Sequence, residues 1–335
     1  MSRSRRFHKL VLAILLLTVF LFVRTDYLVV RPGSAEDLSG LIAVEERPAE
    51  NKGTFYLVTV SQQVATPALF LYALADPYTD LQPRRQVIPA DMDQQEYNKL
   101  MRHHMEESQN LAKVIALRRA GFEVLIKSDG VKVVEVEEDS PAKGKLFPGD
   151  IILAVEGQRL YLEEEVISAV QKRKIGEPVT LTVRRGNETK EITIVTASHS
   201  EQPEKAGIRV IIQTLNWQPV LPLNIDMDVG KISGPSAGLM FVLEIINQIS
   251  EEDLTAGHKI AGTGTINLRE EVGAIGGVRQ KVRAAEKAGA EYFLVPRENY
   301  ADAKKAARHI TLVPVENLDE ALAFLNTLAQ ASSRD

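Results

Sequence analysis

Ser236 and Lys281 are the two side chains whose types and settings could form a nucleophile and its base. Ser236 lies in Gly234-Pro235-Ser236-Ala237-Gly238, directly ahead of Leu239 to Ile246. That run is apolar nearly all round, which predicts a buried helix. Pro235 suits the first turn, where its fixed φ and missing N–H do no harm. Ser236 is then expected at the helix N-terminus, near free backbone N–H groups and the positive end of the dipole. An oxyanion can be held there. A serine that merely caps an ordinary helix is the competing reading. Lys281 falls in a second helix, expected to start near Gly277 and stop at Gly289. At about 100° per residue, Val278, Val282, Ala285 and Ala288 share one face, and Arg279, Arg283, Glu286 and Lys287 share the other. Lys281 falls on the apolar face and in the first turns, where the dipole disfavours a cation. Both effects push a lysine below its ordinary value of about 10.4. Only a neutral amine can serve as a base near pH 7. A structural lysine that snorkels to water would fit the same position. Together, the hydroxyl and the amine match the Ser/Lys form of nucleophilic catalysis.

Residues 203–330 closely resemble the proteolytic domain of Lon proteases. The resemblance rests on Gly234-Pro235-Ser236-Ala237-Gly238, Thr263-Gly264, Leu268-Arg269, the run from Gly273 to Lys281 (GAIGGVRQK), and the helix–strand from Ala284 to Pro296. It implies that Ser236 is the nucleophile, Lys281 the general base and Thr263 the residue orienting the lysine, with Gly234, Pro235 and Ala237 supporting. Met105-Glu106-Glu107-Ser108 with Ala112 resembles the helix that precedes the family's catalytic strands. The implied fold is α/β (α+β), of the ribosomal-protein-S5-domain-2-like type, and hexameric rings are the implied homo-oligomer. One departure from true Lon is chemical. Gly230-Lys231-Ile232-Ser233 lacks the upstream glycine of a G-x-x-x-x-G-K-[ST] phosphate loop, and the chain leaves no room for an ATPase domain. The expected peptidase is therefore ATP-independent and needs no cofactor. Its substrates would be protein or peptide segments that are already exposed.

Ahead of that domain the pattern changes to short strands. Val131 to Val136 alternates loosely, Leu162 to Gln171 reads as a helix, and strands at Val179–Arg184 and Lys190–Val195 flank the turn Gly186-Asn187. With Ser140-Pro141-Ala142, Pro148-Gly149-Asp150-Ile151-Ile152 and Val155-Glu156-Gly157, this stretch resembles a PDZ domain of the bacterial protease-associated kind. The resemblance implies that an extended peptide adds to an exposed strand edge. Its groove would lie between the Gly130–Val136 strand and the 162–171 helix, with Gly130, Val131 and Val133 as peptide-binding residues. No clear Gly-Φ-Gly-Φ carboxylate loop (Φ, an apolar residue) is visible.

The elements that must carry these parts begin with a basic segment, Arg3, Arg5, Arg6 and Lys9, followed by an uncharged run from Leu10 to Val23 that Arg24 ends. Fourteen residues make a helix of about 21 Å against roughly 30 Å of hydrocarbon, and Lys9 and Arg24 can snorkel to extend it. The run is read as an uncleaved signal anchor, with a cytoplasmic N-terminus and the remainder extracytoplasmic at the cell membrane. The expected order is a basic tail (1–9), a transmembrane anchor (10–30), a Pro/Gly-bearing stalk (31–52), a first Lon-type segment (53–121), a PDZ insertion (122–200) and a second Lon-type segment (201–330). This order resembles the membrane-anchored PDZ–Lon proteases of Gram-positive bacteria. Upstream, Gly53 to Val60 reads as a strand, and Asp91 to Ala120 as a helix with Gly121 at C′.

Composition bounds all of this. At roughly 150 residues per domain, 335 residues suggest about two domains. With 44% hydrophobic and 25% charged residues, the chain is neither mostly disordered, nor collagenous, nor a polytopic membrane protein. A net charge of −5 gives no pointer to nucleic acid. The absence of cysteine excludes disulfides, Cys–zinc sites and a cysteine nucleophile. Two rival readings remain. Gly234-x-Ser236-x-Gly238 also fits a hydrolase nucleophile elbow with Asp302 and His309, although Lys231 to Gly234 separates Ser236 from its strand. The other rival is a non-catalytic membrane-tethered PDZ scaffold. No metal is expected, because His103 and His104 are adjacent and point about 100° apart on a helix.

Overall fold

The computed structural model describes residues 2–45, 52–89, 92–199 and 203–332. In chain order the principal elements are α1 (Ser2–Phe22), β1 (Tyr27–Asp37), β2 (Thr54–Val64), α2 (Pro67–Ala75), β3 (Asp80–Pro83), α3 (Gln94–Arg119), β4 (Gly130–Val136), β5 (Ile151–Val155), α4 (Glu163–Gln171), β6 (Pro178–Arg185), β7 (Glu188–Val195), β8 (Val210–Leu215), α5 (Gly238–Ile249), β9 (Lys259–Gly262), α6 (Val278–Lys287), β10 (Tyr292–Pro296), α7 (Tyr300–Ala306), β11 (Thr311–Val315) and α8 (Leu318–Ser332). They form two compact units. One is Met1–Phe122 with Leu223–Asp335, and the other is Glu123–Pro222.

The first unit is built on a six-stranded sheet of order β11-β10-β9-β2-β1-β3. The run β11-β10-β9-β2 is parallel, and β1 is antiparallel to both β2 and β3. The inner strands are buried on both faces, as parallel strands require: Phe293, Leu294 and Val295 of β10 and Ile260 and Ala261 of β9 are fully covered. α5 packs against α3, and α6 packs on β1 and β2. α3 begins in a capping box. Asp93 accepts the N–H groups of Gln95 and Glu96, and Glu96 accepts the N–H of Asp93. It ends at Gly121, whose φ of +87° is the left-handed C′ conformation expected of it.

Three expectations for the N-terminal segment need correction. Tyr27 to Val30, read as the end of the anchor, start β1; Leu28, Val29 and Val30 are buried in the core. The stretch 31–52 is not a stalk over its described residues, and 46–51 lie outside them. Arg31 to Asp37 continue β1, and Leu38, Ile42 and Val44 are buried. Ile42–Val44 pair with Ile225–Met227. Gln248 of α5 donates to the Ile42 carbonyl at 3.0 Å and accepts the Val44 N–H at 3.1 Å. Pro32 and Gly33 suggested a linker, but they sit at a register shift in the β1–β2 ladder. A Cβ on Gly33 would lie 2.3 Å from Thr59 Oγ1, so only glycine allows this approach. α1 is helical over Ser2–Phe22, with Leu10, Leu12, Leu15 and Leu17 exposed. Among the described residues no helix is long and apolar enough to cross a membrane, so the transmembrane helix expected over 10–30 is not found as such. The helix stops at Phe22, and its uncharged stretch starts only after Lys9.

The second unit is a five-stranded antiparallel path of order β7-β6-β5-β4-β8, covered by α4. Val131, Val133, Ile152, Leu181, Val183 and Ile194 form its core. The expected hairpin at Gly186-Asn187 joins β6 to β7. The expected boundary at 200 shifts, because β8 and residues up to Pro222 belong to this unit. β8 pairs with β4 from more than 70 residues away, and short-range periodicity carries no trace of that pairing.

Candidate active site

The site forms where the turn before α5 meets the first turn of α6. α5 starts at Gly238, so Ser236 lies two residues ahead of it rather than inside its first turn. α3 holds this turn from outside: the Gly234 N–H donates to the Met101 carbonyl at 2.9 Å, and Ser108 Oγ to the Pro235 carbonyl at 3.2 Å. The Ser236 carbonyl accepts twice, from Gly264 N–H at 2.8 Å and from Thr263 Oγ1 at 2.9 Å. With the carbonyl fixed in this way, the N–H groups of Ser236 and Ala237 have no acceptor among the described residues. Unengaged backbone donors beside a serine hydroxyl could hold an oxyanion.

Lys281 is the fourth residue of α6, and its N–H closes the first turn on the Gly277 carbonyl at 3.1 Å. Gly277 has φ +70°, and a Cβ there would lie 2.8 Å from Val60 Cγ1. Glycine thus satisfies both the backbone and the packing that bring α6 onto β2. The apolar face predicted for α6 is the buried one: Val278, Val282 and Ala285 are covered together with Lys281, which is 3% exposed. Lys281 Nζ lies 2.6 Å from Ser236 Oγ and 2.9 Å from Thr263 Oγ1, and Thr263 is itself buried. Burial without a carboxylate partner lowers the lysine from 10.5 to about 7. Roughly half of the amine is then neutral at pH 7, against about one part in 3,000 for an unperturbed lysine. A neutral Nζ offers its lone pair to the Ser236 O–H while donating an N–H to Thr263 Oγ1.

A cleft of about 360 Å³ opens over this pair. Its walls include Ser34 and Thr59, which hydrogen-bond to each other, together with Val58, Val60, Lys231 and Ser233. Sequence reasoning missed Ser34 and Thr59. Ser34 lay in the supposed stalk, and no motif signals a residue contributed by a bulged strand. Of the expected residues, Ser236, Lys281 and Thr263 come together, and Gly234 and Ala237 line the same cleft. Pro235 shapes the turn. Asp302 and His309 of the rival elbow reading do not line this cleft: Asp302 pairs with Lys305, and His309 lines a different one. His103 and His104 both contact Glu107 on the surface of α3.

The structure does not place a groove where the sequence led us to expect one in the second unit. β4 is flanked by β5 and β8, and Val131 and Val133 are fully buried, so Gly130, Val131 and Val133 cannot receive an added strand. β8 is the edge. A small groove of about 80 Å³ lies between it and α4, lined by Val166, Ile167, Val170, Ile208, Val210 and Ile212. Glu163 and Thr214 close one end through two hydrogen bonds, of 2.9 and 3.0 Å. The sequence reading placed 201–330, and with it β8, in the other unit, so it did not foresee β8 as the edge strand.

Comparison with known proteins matches two parts of the chain to known domains. Residues 224–327 match the Lon protease (S16) C-terminal proteolytic domain, and residues 106–196 match the PDZ domain. Lon protease of Clostridioides difficile (strain 630) is 29% identical over 218 residues, covering 62% of this chain and 25% of its own length. Lon protease of Roseiflexus castenholzii is 28% identical over 172 residues, covering 50% and 20%. Lon protease 2 of Herpetosiphon aurantiacus is 36% identical over 107 residues, covering 30% and 13%. The chain thus spans a quarter or less of the length of these relatives. The crystal structure of the PDZ domain of an SdrC-like protein from Listeria innocua is 32% identical, covering 25% of this chain and 93% of its own, with a TM-score of 0.24. The chain therefore carries a Lon-type C-terminal proteolytic domain together with a PDZ domain.

Proposed function

We propose that this chain is an ATP-independent serine endopeptidase working through a Ser236–Lys281 dyad. The observation that carries the reading is the buried Lys281 Nζ, 2.6 Å from Ser236 Oγ, in a setting whose burial leaves roughly half of the amine neutral and able to accept a proton at pH 7. Lys281 takes the Ser236 proton as Oγ bonds to the peptide carbonyl carbon, and the oxyanion faces the N–H groups of Ser236 and Ala237. The ammonium returns that proton to the departing amine nitrogen as the C–N bond breaks. Water then attacks the acyl ester with Nζ as base, and the ester bond breaks to restore Ser236. Thr263 acts as a positioning residue for Nζ through its 2.9 Å contact.

The groove between β8 and α4 supports a second part of the proposal, that an extended apolar segment adds to β8 and is thereby presented for cleavage. The third part is location. The basic residues ahead of Leu10 and the exposed apolar side chains of α1 support attachment to a membrane, with the catalytic and PDZ units on the extracytoplasmic side. The proposal includes assembly of copies into a ring, which sedimentation of the detergent-solubilised chain tests. For the chemistry, the experiment is cleavage of a fluorescently labelled unfolded protein without nucleotide, paired with covalent labelling by a serine-reactive probe. Cleavage and labelling should both vanish in Ser236→Ala. Labelling absent from the wild type, with peptide binding at β8 intact, favours the scaffold reading instead.

A further inference from the structure

A second cleft, about 540 Å³, opens in the first unit where β1, α2 and α6 approach one another. Arg31, Arg283, Lys287 and Arg308 line it, against two carboxylates, Asp76 and Glu286. Both carboxylates are engaged by the protein's own donors. Asp76 accepts from Thr79 Oγ1 at 2.5 Å, Tyr72 Oη at 3.2 Å and Tyr78 N–H at 3.2 Å. Glu286 Oε1 accepts the N–H groups of Arg308, His309 and Ile310, and its other oxygen pairs with Arg283. Among the described residues Arg31 Nε is buried with no hydrogen-bond partner, and Arg31 pairs with no carboxylate. Neither Lys287 nor Arg308 pairs with a carboxylate among the described residues, and Arg308 lies over the Tyr78 ring at 5.5 Å. In a chain of net charge −5, three unpaired cations around one cleft call for an anion with several acceptor oxygens.

The surroundings indicate which anion. Tyr72, on the wall of the cleft, belongs to α2, where Leu71 is 56% and Leu74 69% exposed. α2 packs against α1, whose apolar side chains are also exposed. Apolar side chains, tyrosines and cations in succession make the profile of a bilayer interface. We propose that this cleft binds the phosphate of an acidic phospholipid headgroup, and that the Leu71–Leu74 ridge of α2 rests in the same bilayer surface. The proposal takes α1 as membrane-attached, as in the reading above.

The chain has no cysteine, so Leu74→Cys labelled with NBD gives a single reporter. The labelled full-length chain is mixed with vesicles of phosphatidylcholine, with or without phosphatidylglycerol, carrying a nitroxide lipid quencher. Flotation reads α1, and quenching at position 74 reads the cleft. The expected result is flotation on both vesicles, with quenching that rises with phosphatidylglycerol. Lys287→Gln with Arg308→Gln, both at exposed positions, should raise the phosphatidylglycerol needed by about 30-fold, at roughly 1 kcal/mol per cation. Quenching that ignores phosphatidylglycerol, or survives unchanged in the double variant, overturns the proposal. So does a saturable response to inorganic phosphate or to polyglutamate with no lipid dependence, which would make the cleft a free-phosphate or acidic-peptide site. Loss of flotation alone refutes the reading of α1. The cleft is then judged by whether excess phosphatidylglycerol vesicles still quench the label.

Discussion

Replacing Lys281 by methionine should abolish peptide cleavage and yet stabilise the first unit, with a dependence on pH that identifies the cause. In the native state burial lowers the amine from 10.5 to about 7. An unfolded chain returns it to about 10.4, so the unfolded state binds more protons between those values. The group's destabilising effect is therefore complete below about pH 7 and fades as pH rises towards 10.5. At about 1.4 kcal/mol per tenfold change in proton affinity, the full effect is on the order of 5 kcal/mol at pH 6 and about 2 kcal/mol at pH 9. Methionine fills similar space without a charge, but it forfeits the contacts to Ser236 and Thr263, worth about 1 kcal/mol each. The net gain expected for Lys281→Met is about 3 kcal/mol at pH 6, falling to near zero at pH 9. Urea unfolding followed by far-UV circular dichroism across this range measures it. Trp217, the only tryptophan, lies in the second unit and supplies an internal control that should not move. A gain that does not change with pH, or a variant less stable than wild type at pH 6, would refute the reasoning.

The same titration should appear in catalysis: kcat/KM for an unstructured peptide should rise with pH around an apparent value of about 7 and then level off, as Lys281 loses its proton. Thr263→Val keeps the shape but removes the oxygen 2.9 Å from Nζ, and should cost roughly 10- to 100-fold in kcat/KM with the fold retained, as checked by circular dichroism. Gly33→Ala places a methyl group 2.3 Å from Thr59 Oγ1 and should destabilise the first unit by roughly 1–3 kcal/mol while lowering cleavage, because the bulge it disturbs forms a wall of the cleft over Ser236 and Lys281. Ile167→Asp puts a charge in the groove beside β8. It should weaken binding of an apolar peptide at least about tenfold by calorimetry, while cleavage of a short peptide that does not use the groove stays at the wild-type rate.

The chemical types, and the local elements that carry them, were legible in the residues themselves. A lysine among Val278, Val282 and Ala285 on one helical face is a statement about period 3.6, and that face is the buried one. Gly121 at the end of α3 and the turn at Gly186-Asn187 were equally local, whereas the capping box at Asp93 went unread and the helix starts at Gln94 rather than Asp91. The tertiary structure alone decided which distant strands meet. β1 pairs with β2 across a segment of polar, Pro- and Gly-bearing residues, and its bulge brings Ser34 to the cleft. β8 joins β4 and becomes the edge of the second sheet, so the open groove is lined by Val210 and Ile212 and not by Gly130, Val131 and Val133. Strand pairing is a long-range choice, set by which apolar faces can be buried together, whereas periodicity reports only the face within one segment. The 2.6 Å between Lys281 and Ser236 belongs to the same class. Helix period places the amine on a buried face, and only the packing of α6 on β1 and β2 aims it at the serine.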